Sequence, residues 1–322
     1  MVGLGAIALA FALTCAAGKA DDQYPSKPVR IVVSFSAGGP TDIVGRIFAA
    51  KLSELLGQQF FVENKVGAGG NIGADQVAKS PPDGYTLLVA TVSTHAINPG
   101  LYAKMPYDPI KDFAPIAHVG ITPTTLNVHP SIPAKDVKSL IALIKENPDK
   151  YTYGSSGLGS ILHLCGEQFK ALAGGLAIQH VPYRGSAPMM GDLIGGQISM
   201  AFDGTPTALP QIQSGTIRPV GAGMAERMRT MPELPTLQEQ GLKGFECYTW
   251  NAILAPAGTP QPILDRLQKE IVSIVGAAET REALDKAGAE PLTSTPAELA
   301  AMLSDGVPKY AAIVKAAGVK PE

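Results

Sequence analysis

One stretch near the start of the chain constrains the fold most, because it predicts a buried strand, a glycine turn and the first turn of a helix. The strand is predicted from the apolar residues at 31–33 and Phe35, a run typical of buried parallel strands. Gly38 and Gly39 permit a sharp turn, and apolar residues then recur at helical spacing. Such a unit points free backbone N–H groups at one spot, which suits an anion. It is equally an ordinary connection in an α/β domain.

The residues that open this first helix have separate predicted roles. Thr41 is predicted to be the N-cap, because its hydroxyl can accept a bond from a backbone N–H group. Asp42 suits the positive end of the helix dipole. We favour that helix role over a ligand role, since a carboxylate repels an anionic ligand.

A second connection of the same kind lies in a different part of the chain. Residues 155–160 read Ser-Ser-Gly-Leu-Gly-Ser and lead from a predicted strand into a predicted helix. Ligands of open α/β sheets bind beyond the carboxyl ends of the strands. Two such loops facing each other across a cleft could therefore clamp one small anion from both sides.

Strand and helix signals alternate along most of the chain, which predicts βαβ units and a mostly parallel sheet. Between residues 117 and 128 an apolar run is interrupted by Thr122 and Pro123. The other predicted strands are 60–63, 85–90, 177–181, 198–202, 218–222 and 247–255, and the predicted helices include 70–78, 136–146, 161–172 and 186–194.

The C-terminal third carries further helix signals. Thr259 and Thr295 each precede a proline, so each is predicted to be an N-cap followed by a proline at the first helical position. Pro308 is expected to kink or break the last helix.

Two cysteines lie beyond the N-terminal segment. Cys165 falls in a predicted helix and Cys247 in a predicted strand. We therefore expect two buried thiols rather than a disulfide, although export would permit a disulfide.

The first twenty residues are predicted to be a secretory signal peptide and not part of the folded unit. Residues 5–17 are small or apolar, and Gly18 and Ala20 occupy the −3 and −1 positions of a cleavage site. No basic residue precedes the apolar run. A membrane anchor is the alternative, but the run is shorter than the roughly 20 residues that a span needs.

Charge and motifs exclude several function classes. The net charge is −2 and no basic stripe is present, so no nucleic-acid partner is expected. Residues 67–73 resemble a dinucleotide-binding loop, but Ile72 stands where the third glycine is required, so a glycine-rich start of a helix is favoured. There is no Gly-x-Ser-x-Gly motif, and the five histidines lack metal-ligand spacing. We predict no catalytic residue, no metal and no cofactor.

Three side chains have both a ligand and a structural interpretation. His163, one turn into the second predicted helix, could donate to a carboxylate, but a role satisfied by the backbone is favoured. For Arg184 the two interpretations, a clamp on the ligand and a surface residue, have equal weight. Trp250 is interpreted as a core or hinge residue.

Ordered segments along the chain resemble one known family. They include Tyr24-Pro25, residues 35–42, 62–65, 67–73, 82–87, 106–108, 112–115, 153–157, 163–164, 181–185, 192–196, 234–236 and 255–260. On these segments the chain resembles the substrate-binding proteins of tripartite tricarboxylate transporters, the Bordetella uptake gene (Bug) family. The resemblance covers nearly the whole chain after residue 20.

The resemblance implies an α/β fold of the type II periplasmic binding protein class, with two Rossmann-like lobes, a hinge and a ligand cleft between the lobes. Lobe one is expected to comprise residues 21–121 and 246–322, and lobe two residues 122–245. The resemblance also implies a periplasmic, monomeric protein that works with integral membrane permease subunits.

The family's ligands are small organic carboxylates, bound largely through backbone amides and ordered waters. By resemblance, two loops hold the carboxylate and a further set shapes the distal pocket. The expected ligand-binding residues are Phe35, Ser36, Ala37, Gly38, Gly39, Thr41, Asp42, Thr91, Ser93, Thr94, Ser155, Ser156, Gly157, Leu158, Gly159, Ser160, His163, Arg184, Phe202 and Asp203.

One departure from the family bears on the ligand. Leu158 stands where the family often has asparagine, which favours an aromatic or apolar-bodied carboxylate over citrate. The predicted function is capture of a di- or tricarboxylate or an aromatic carboxylate for a transporter. The alternatives are a sensor that presents its closed form to a receptor kinase and an exported enzyme of the same fold.

Overall fold

The computed structural model describes residues 24–319, so the predicted signal peptide lies outside the described residues. The strands are β1 (Val29–Val33), β2 (Phe60–Asn64), β3 (Thr86–Thr91), β4 (Phe113–Val128), β5 (Thr152–Ser155), β6 (Gln179–Pro182), β7 (Met200–Gly204), β8 (Arg218–Ala222) and β9 (Tyr248–Pro256). The helices are α1 (Pro40–Leu56), α2 (Asn71–Ala78), α3 (Asn98–Leu101), α4 (Val137–Glu146), α5 (Ile161–Leu172), α6 (Ser186–Ile194), α7 (Thr205–Gln213), α8 (Gln261–Gly276), α9 (Ala278–Lys286) and α10 (Pro296–Ala316).

The strands of the described chain form one sheet in the order β2-β1-β3-β9-β4-β7-β5-β6, and β8 pairs with β4 outside this order. β1 is parallel to β2 and β3, and β5 is parallel to β6 and β7. β9 is antiparallel to both β3 and β4. The sheet therefore has two parallel parts, which β4 and β9 connect.

β4 is one continuous strand, although the sequence predicts an interruption at Thr122 and Pro123. Up to Pro123 it pairs with β9, and from Thr124 onward it pairs with β7. The proline, which cannot donate to a ladder, thus falls where the partner strand changes. The expected lobe boundaries, 121/122 and 245/246, stay a prediction.

Apolar side chains on both faces of the first parallel part pack against helices. Val29, Ile31 and Val33 of β1 belong to one buried cluster, which also contains residues of α1 and α8. Val32 points to the opposite face and belongs to a second buried cluster, together with residues of α2 and α10. This alternation follows from the two-residue period of a strand.

The prediction of two free thiols is wrong: Cys165 and Cys247 form a disulfide, with Cα atoms 5.6 Å apart. Cys165 lies on α5 and Cys247 directly precedes β9. A helix residue and a strand residue far apart in the sequence give no local sign of pairing, because only the packing of α5 against the start of β9 brings them together.

The last helix departs from the prediction at Pro308. α10 continues through Pro308. The close packing of the helix explains this, since a Cβ on Gly100 would lie 2.8 Å from Ala311 Cα. Tertiary contact thus offsets the backbone hydrogen bond that proline removes.

The two predicted threonine N-caps differ in outcome. The N-cap of α8 is Pro260 and not Thr259. The N-cap of α10 is Thr295, as predicted, in a reciprocal capping box with Glu298.

Between residues 24 and 319, no helix has both the length and the apolar character that crossing a membrane requires. The same residues contain no cluster of three or more histidine, cysteine or acidic side chains that could hold a metal ion.

Candidate functional site

The N-termini of four helices meet at one cavity of about 40 Å³. α1 contributes its N-cap Gly39, and α5 contributes its first residue, Ile161. α6 contributes its first residue, Ser186, and α7 contributes its N-cap Gly204. Each helix follows a strand of the sheet, so the strand ends bring the four N-termini to one place.

The electrostatic character of this cavity comes from dipoles and hydroxyl groups. None of the described residues that line it is charged. The residues that line it and carry a hydroxyl group are Thr41, Thr91, Ser93, Thr122, Thr124, Ser156, Ser186 and Thr249. The hydroxyls of Ser93, Thr122, Thr124 and Thr249 are bonded to neighbouring groups, whereas Thr91 Oγ1 has no partner among the described residues. Each helix N-terminus adds a partial positive charge. The cavity is therefore suited to a small anion that accepts hydrogen bonds.

The loop from β1 to α1 is held in place by Asp42. Its buried carboxylate accepts hydrogen bonds from Gly38 N at 2.8 Å, Asn64 Nδ2 at 2.9 Å and Arg46 Nε at 2.8 Å. The structure therefore gives Asp42 a positioning role at the helix start, which is the role that the sequence favoured.

The N-cap of α1 is Gly39, so the prediction of Thr41 as N-cap is wrong. Pro40 occupies the first helical position, where its fixed φ favours a helix. The helix thus begins before Thr41, and Thr41 lines the cavity from the first turn. Ala37 and Gly38 are exposed and do not line the cavity.

The loop from β5 to α5 contributes Ser156 to the cavity. Ser155 is fully buried behind it, with its Oγ 2.7 Å from His180 Nε2. Ser160 is the N-cap of α5 and accepts a hydrogen bond from His163 N. Gly159 is also buried and does not line the cavity.

His163 supports this loop from behind. Its ring stacks on the ring of His180 with centroids 4.2 Å apart, and its Nδ1 accepts a hydrogen bond from Gly159 N at 3.4 Å. Burial is the main cause that lowers the pKa of both rings, that of His180 to about 3. The pair is therefore neutral at neutral pH and lies outside the residues that line the cavity.

Three hydroxyl residues at the end of β3 and just after it are predicted to bind the ligand; Thr91 and Ser93 line the cavity and Thr94 does not. Thr94 Oγ1 instead accepts a hydrogen bond from Thr91 N at 3.2 Å. Ser93 begins a π-helical turn, and its Oγ accepts a hydrogen bond from Ile161 N at 3.0 Å. This bond links the first parallel part of the sheet to the N-terminus of α5.

Phe202 and Asp203 do not line the cavity, contrary to expectation. Phe202 stacks on Phe245 in the core, with centroids 5.5 Å apart. Asp203 is fully buried and accepts hydrogen bonds from Gly204 N and Thr207 Oγ1. Burial raises the pKa of Asp203 to about 6. Asp203 thus supports the turn into α7 from behind the cavity.

A second, outer cavity of about 670 Å³ shares two of its lining residues, Phe35 and Ser156, with the first. Gly157, Leu158 and Arg184 line this outer cavity. Ser36 lines neither cavity, and its Oγ accepts a hydrogen bond from Ala187 N of α6 at 3.4 Å.

Sequence reasoning missed several residues that line the inner cavity. Ser186 and Gly204 could have been found, because each belongs to another strand-glycine-helix connection of the type already recognised. Thr122, Thr124 and Thr249 come from β4 and β9 and carry no local signal. Pro40, Ile161 and Leu162 complete the missed set.

Comparison with known proteins identifies the family. Residues 44–319 match the model of the tripartite tricarboxylate transporter family receptor. The protein BugT of Bordetella pertussis is 35% identical over 93% of this chain and 92% of its own length. A relative this similar over nearly the full length of both chains shows which family the chain belongs to.

Solved structures agree with this assignment. The R. palustris protein Rpa4515, solved with adipate, is 37% identical with a TM-score of 0.90 and covers 93% of this chain and 100% of its own. MatC of Rhodopseudomonas palustris, solved with malate, is 31% identical with a TM-score of 0.85 and covers 90% of this chain and 100% of its own. The periplasmic binding protein BugD is 38% identical with a TM-score of 0.89 and covers 93% of this chain and 100% of its own. The predicted two-lobed α/β fold is thereby confirmed. This chain belongs to the tripartite tricarboxylate transporter receptor family and is a solute-binding protein of that family.

Proposed function

We propose that the protein captures a small organic carboxylate in the periplasm and delivers it to the integral membrane permease subunits of a tripartite tricarboxylate-type transporter. It acts as an exported monomer and performs no chemistry on its ligand. The observation that carries the proposal is the meeting of four helix N-termini at a cavity whose described lining has hydroxyls but no charged side chain.

The ligand is an anion because this lining has donors and positive dipole ends but no acidic group. A cationic ligand would face the same dipoles unfavourably. Relatives solved with adipate and with malate support a carboxylate as the anion.

The expected affinity depends on how many hydrogen bonds the ligand carboxylate accepts. A hydrogen bond to a charged group contributes roughly 1.5–3 kcal/mol. Three or four such bonds, less the cost of ordering the ligand and the protein, give a dissociation constant of about 1 µM. Binding of this strength allows capture followed by release to a membrane partner.

Ligand uptake requires the two lobes to move. The inner cavity is small, about 40 Å³. Hydrogen bonds from Ile161 N to Ser93 Oγ and from Ala187 N to Ser36 Oγ hold the two parts of the sheet together around it. Hinge motion at the two connecting strands, β4 and β9, is the movement that opens the site.

The proposal is tested by a binding screen and by a variant that places a negative charge at the cavity. Mono-, di-, tri- and aromatic carboxylates are screened by thermal shift, and the hits are measured by calorimetry. Ser186→Asp places a carboxylate at the first residue of α6, where it repels the ligand. Because Ser186 is buried and its hydroxyl bonds to Asp203, circular dichroism first establishes that the variant is folded, and loss of binding counts only for the folded variant. Ala278→Asp is the matched control, at the first residue of the exposed start of α9.

We expect carboxylates to bind the wild type and the control but not Ser186→Asp. Stabilisation by sugars or cations alone, or by no carboxylate, would overturn the proposal. For the transport role, deletion of the protein should abolish uptake of the bound carboxylate. Loss of gene induction with unchanged uptake would indicate sensing instead.

A further inference from the structure

We propose that Arg184 selects ligands that carry a second acid group, which it binds in the outer cavity. This inference rests on the proposed function, because it assumes that the inner cavity holds a first carboxylate.

The two cavities are neighbours. Phe35 and Ser156 line both of them, so these two residues lie between the cavities. The inner cavity measures about 40 Å³ and the outer one about 670 Å³. A ligand whose carboxylate lies against the four helix N-termini therefore extends past Phe35 and Ser156 into the outer cavity.

The outer cavity carries a positive charge where the far end of such a ligand would lie. Arg184 is the one charged side chain among the described residues that line the outer cavity. It is exposed, and no hydrogen bond or ion pair joins its guanidinium to another described residue. A guanidinium without a protein partner is free to form a bidentate bond with a carboxylate.

The apolar lining of the outer cavity favours an apolar ligand body. Phe35, which lines both cavities, and Leu158, which lines the outer one, are half-buried and present apolar surface there. Burial of methylene or aromatic groups there is favourable, whereas hydroxyl groups on the ligand body would lose hydration. The preferred class is therefore two acid groups separated by an apolar spacer.

The test compares ligands that differ only in the second acid group. Saturated dicarboxylates of four, six and eight carbons and the monocarboxylates of the same lengths are titrated calorimetrically into the wild type, Arg184→Gln and Arg184→Lys. Lys243→Gln is the control, because Lys243 is exposed and lies outside both cavities.

We expect Arg184→Gln to weaken dicarboxylate binding about tenfold and to change monocarboxylate binding less than about twofold. Arg184→Lys should keep part of the dicarboxylate affinity, and Lys243→Gln should match the wild type. An equal loss for both ligand classes, or no loss for either, would overturn the role of Arg184. If no carboxylate of any class binds the wild type, the proposed function itself is wrong. If monocarboxylates bind too weakly to measure, the dicarboxylates alone decide. The role of Arg184 is then overturned if both Arg184→Gln and Arg184→Lys keep the wild-type affinity for dicarboxylates.

Discussion

Reduction of the disulfide between Cys165 and Cys247 is expected to destabilise the protein strongly. The two residues are separated by 82 positions in the sequence. In the chain-entropy description, closing a loop of this length removes unfolded-state entropy worth about 4.5 kcal/mol at 25 °C. We expect most of this term to appear in the free energy of unfolding.

The assay is guanidinium unfolding of the oxidised protein and of the protein held in a phosphine reductant. The reduced protein should lose roughly 3–4.5 kcal/mol of unfolding free energy, and its Tm should fall by roughly 10 °C. The double variant Cys165→Ala, Cys247→Ala is the control, because the reductant should leave its midpoint unchanged.

Two results would refute this reasoning. The first is titration of two free thiols in the unfolded, unreduced protein, which would show that the bond does not form. The second is a loss of less than about 1 kcal/mol on reduction, which would mean that the unfolded chain is already compact across this loop. A loss in the control variant would instead point to an effect of the reductant elsewhere.

Three further outcomes follow from the structure. Gly204→Ala should weaken ligand binding by about 10- to 100-fold, as measured by calorimetry, because the added Cβ would lie 2.7 Å from Pro40 Cγ across the cleft. Asp203, whose pKa burial raises to about 6, keeps its proton in the folded state between pH 4 and 6 and releases it on unfolding, so it stabilises the fold towards lower pH. Asp203→Asn should therefore steepen the loss of stability on acidification in that window by up to about 1.4 kcal/mol per pH unit, measured by urea unfolding. Thr295→Ala should lower stability by about 1 kcal/mol through loss of the α10 cap, measured in the same way.

Each of these outcomes has a matched comparison. Gly191→Ala lies on α6 with no heavy atom within 4 Å of the added Cβ, so it should bind as the wild type does, and equal loss in both variants would contradict the steric argument. For Asp203→Asn, an unchanged pH slope would mean that the carboxyl is ionised in the native state. For Thr295→Ala, restoration by Thr295→Ser is expected, and its failure would contradict the capping role.

The sequence predicted where the loops of the site lie, but not which of their side chains line the cavity. The connections after β1 and β5 are local features, since glycine and hydroxyl residues in an unbroken run determine where a strand turns into a helix. Within those loops, however, Ser155 and His163 support the backbone, while Ser156 and Thr41 line the cavity. The local sequence does not show which polar residues support the backbone and which line the cavity, because both faces of a loop carry polar residues.

Two departures from expectation depend on tertiary packing. Phe202 is predicted to help shape the distal pocket, but its ring stacks on Phe245 in the core. The disulfide was not expected, because its two residues meet only after α5 packs against the start of β9.

The sequence alone determined the α/β class, the strand-glycine-helix connections and the absence of recognisable catalytic motifs. These depend on hydrophobic period, glycine placement and motif spacing, which act within a few residues of the chain. The tertiary structure decided which side chains line the cavity, that four helix N-termini meet there, and that Cys165 pairs with Cys247. Thr122, Thr124 and Thr249 reach the cavity only because β4 and β9 pass between the two parts of the sheet. Such positions follow from long-range packing, and no local stretch of sequence encodes them.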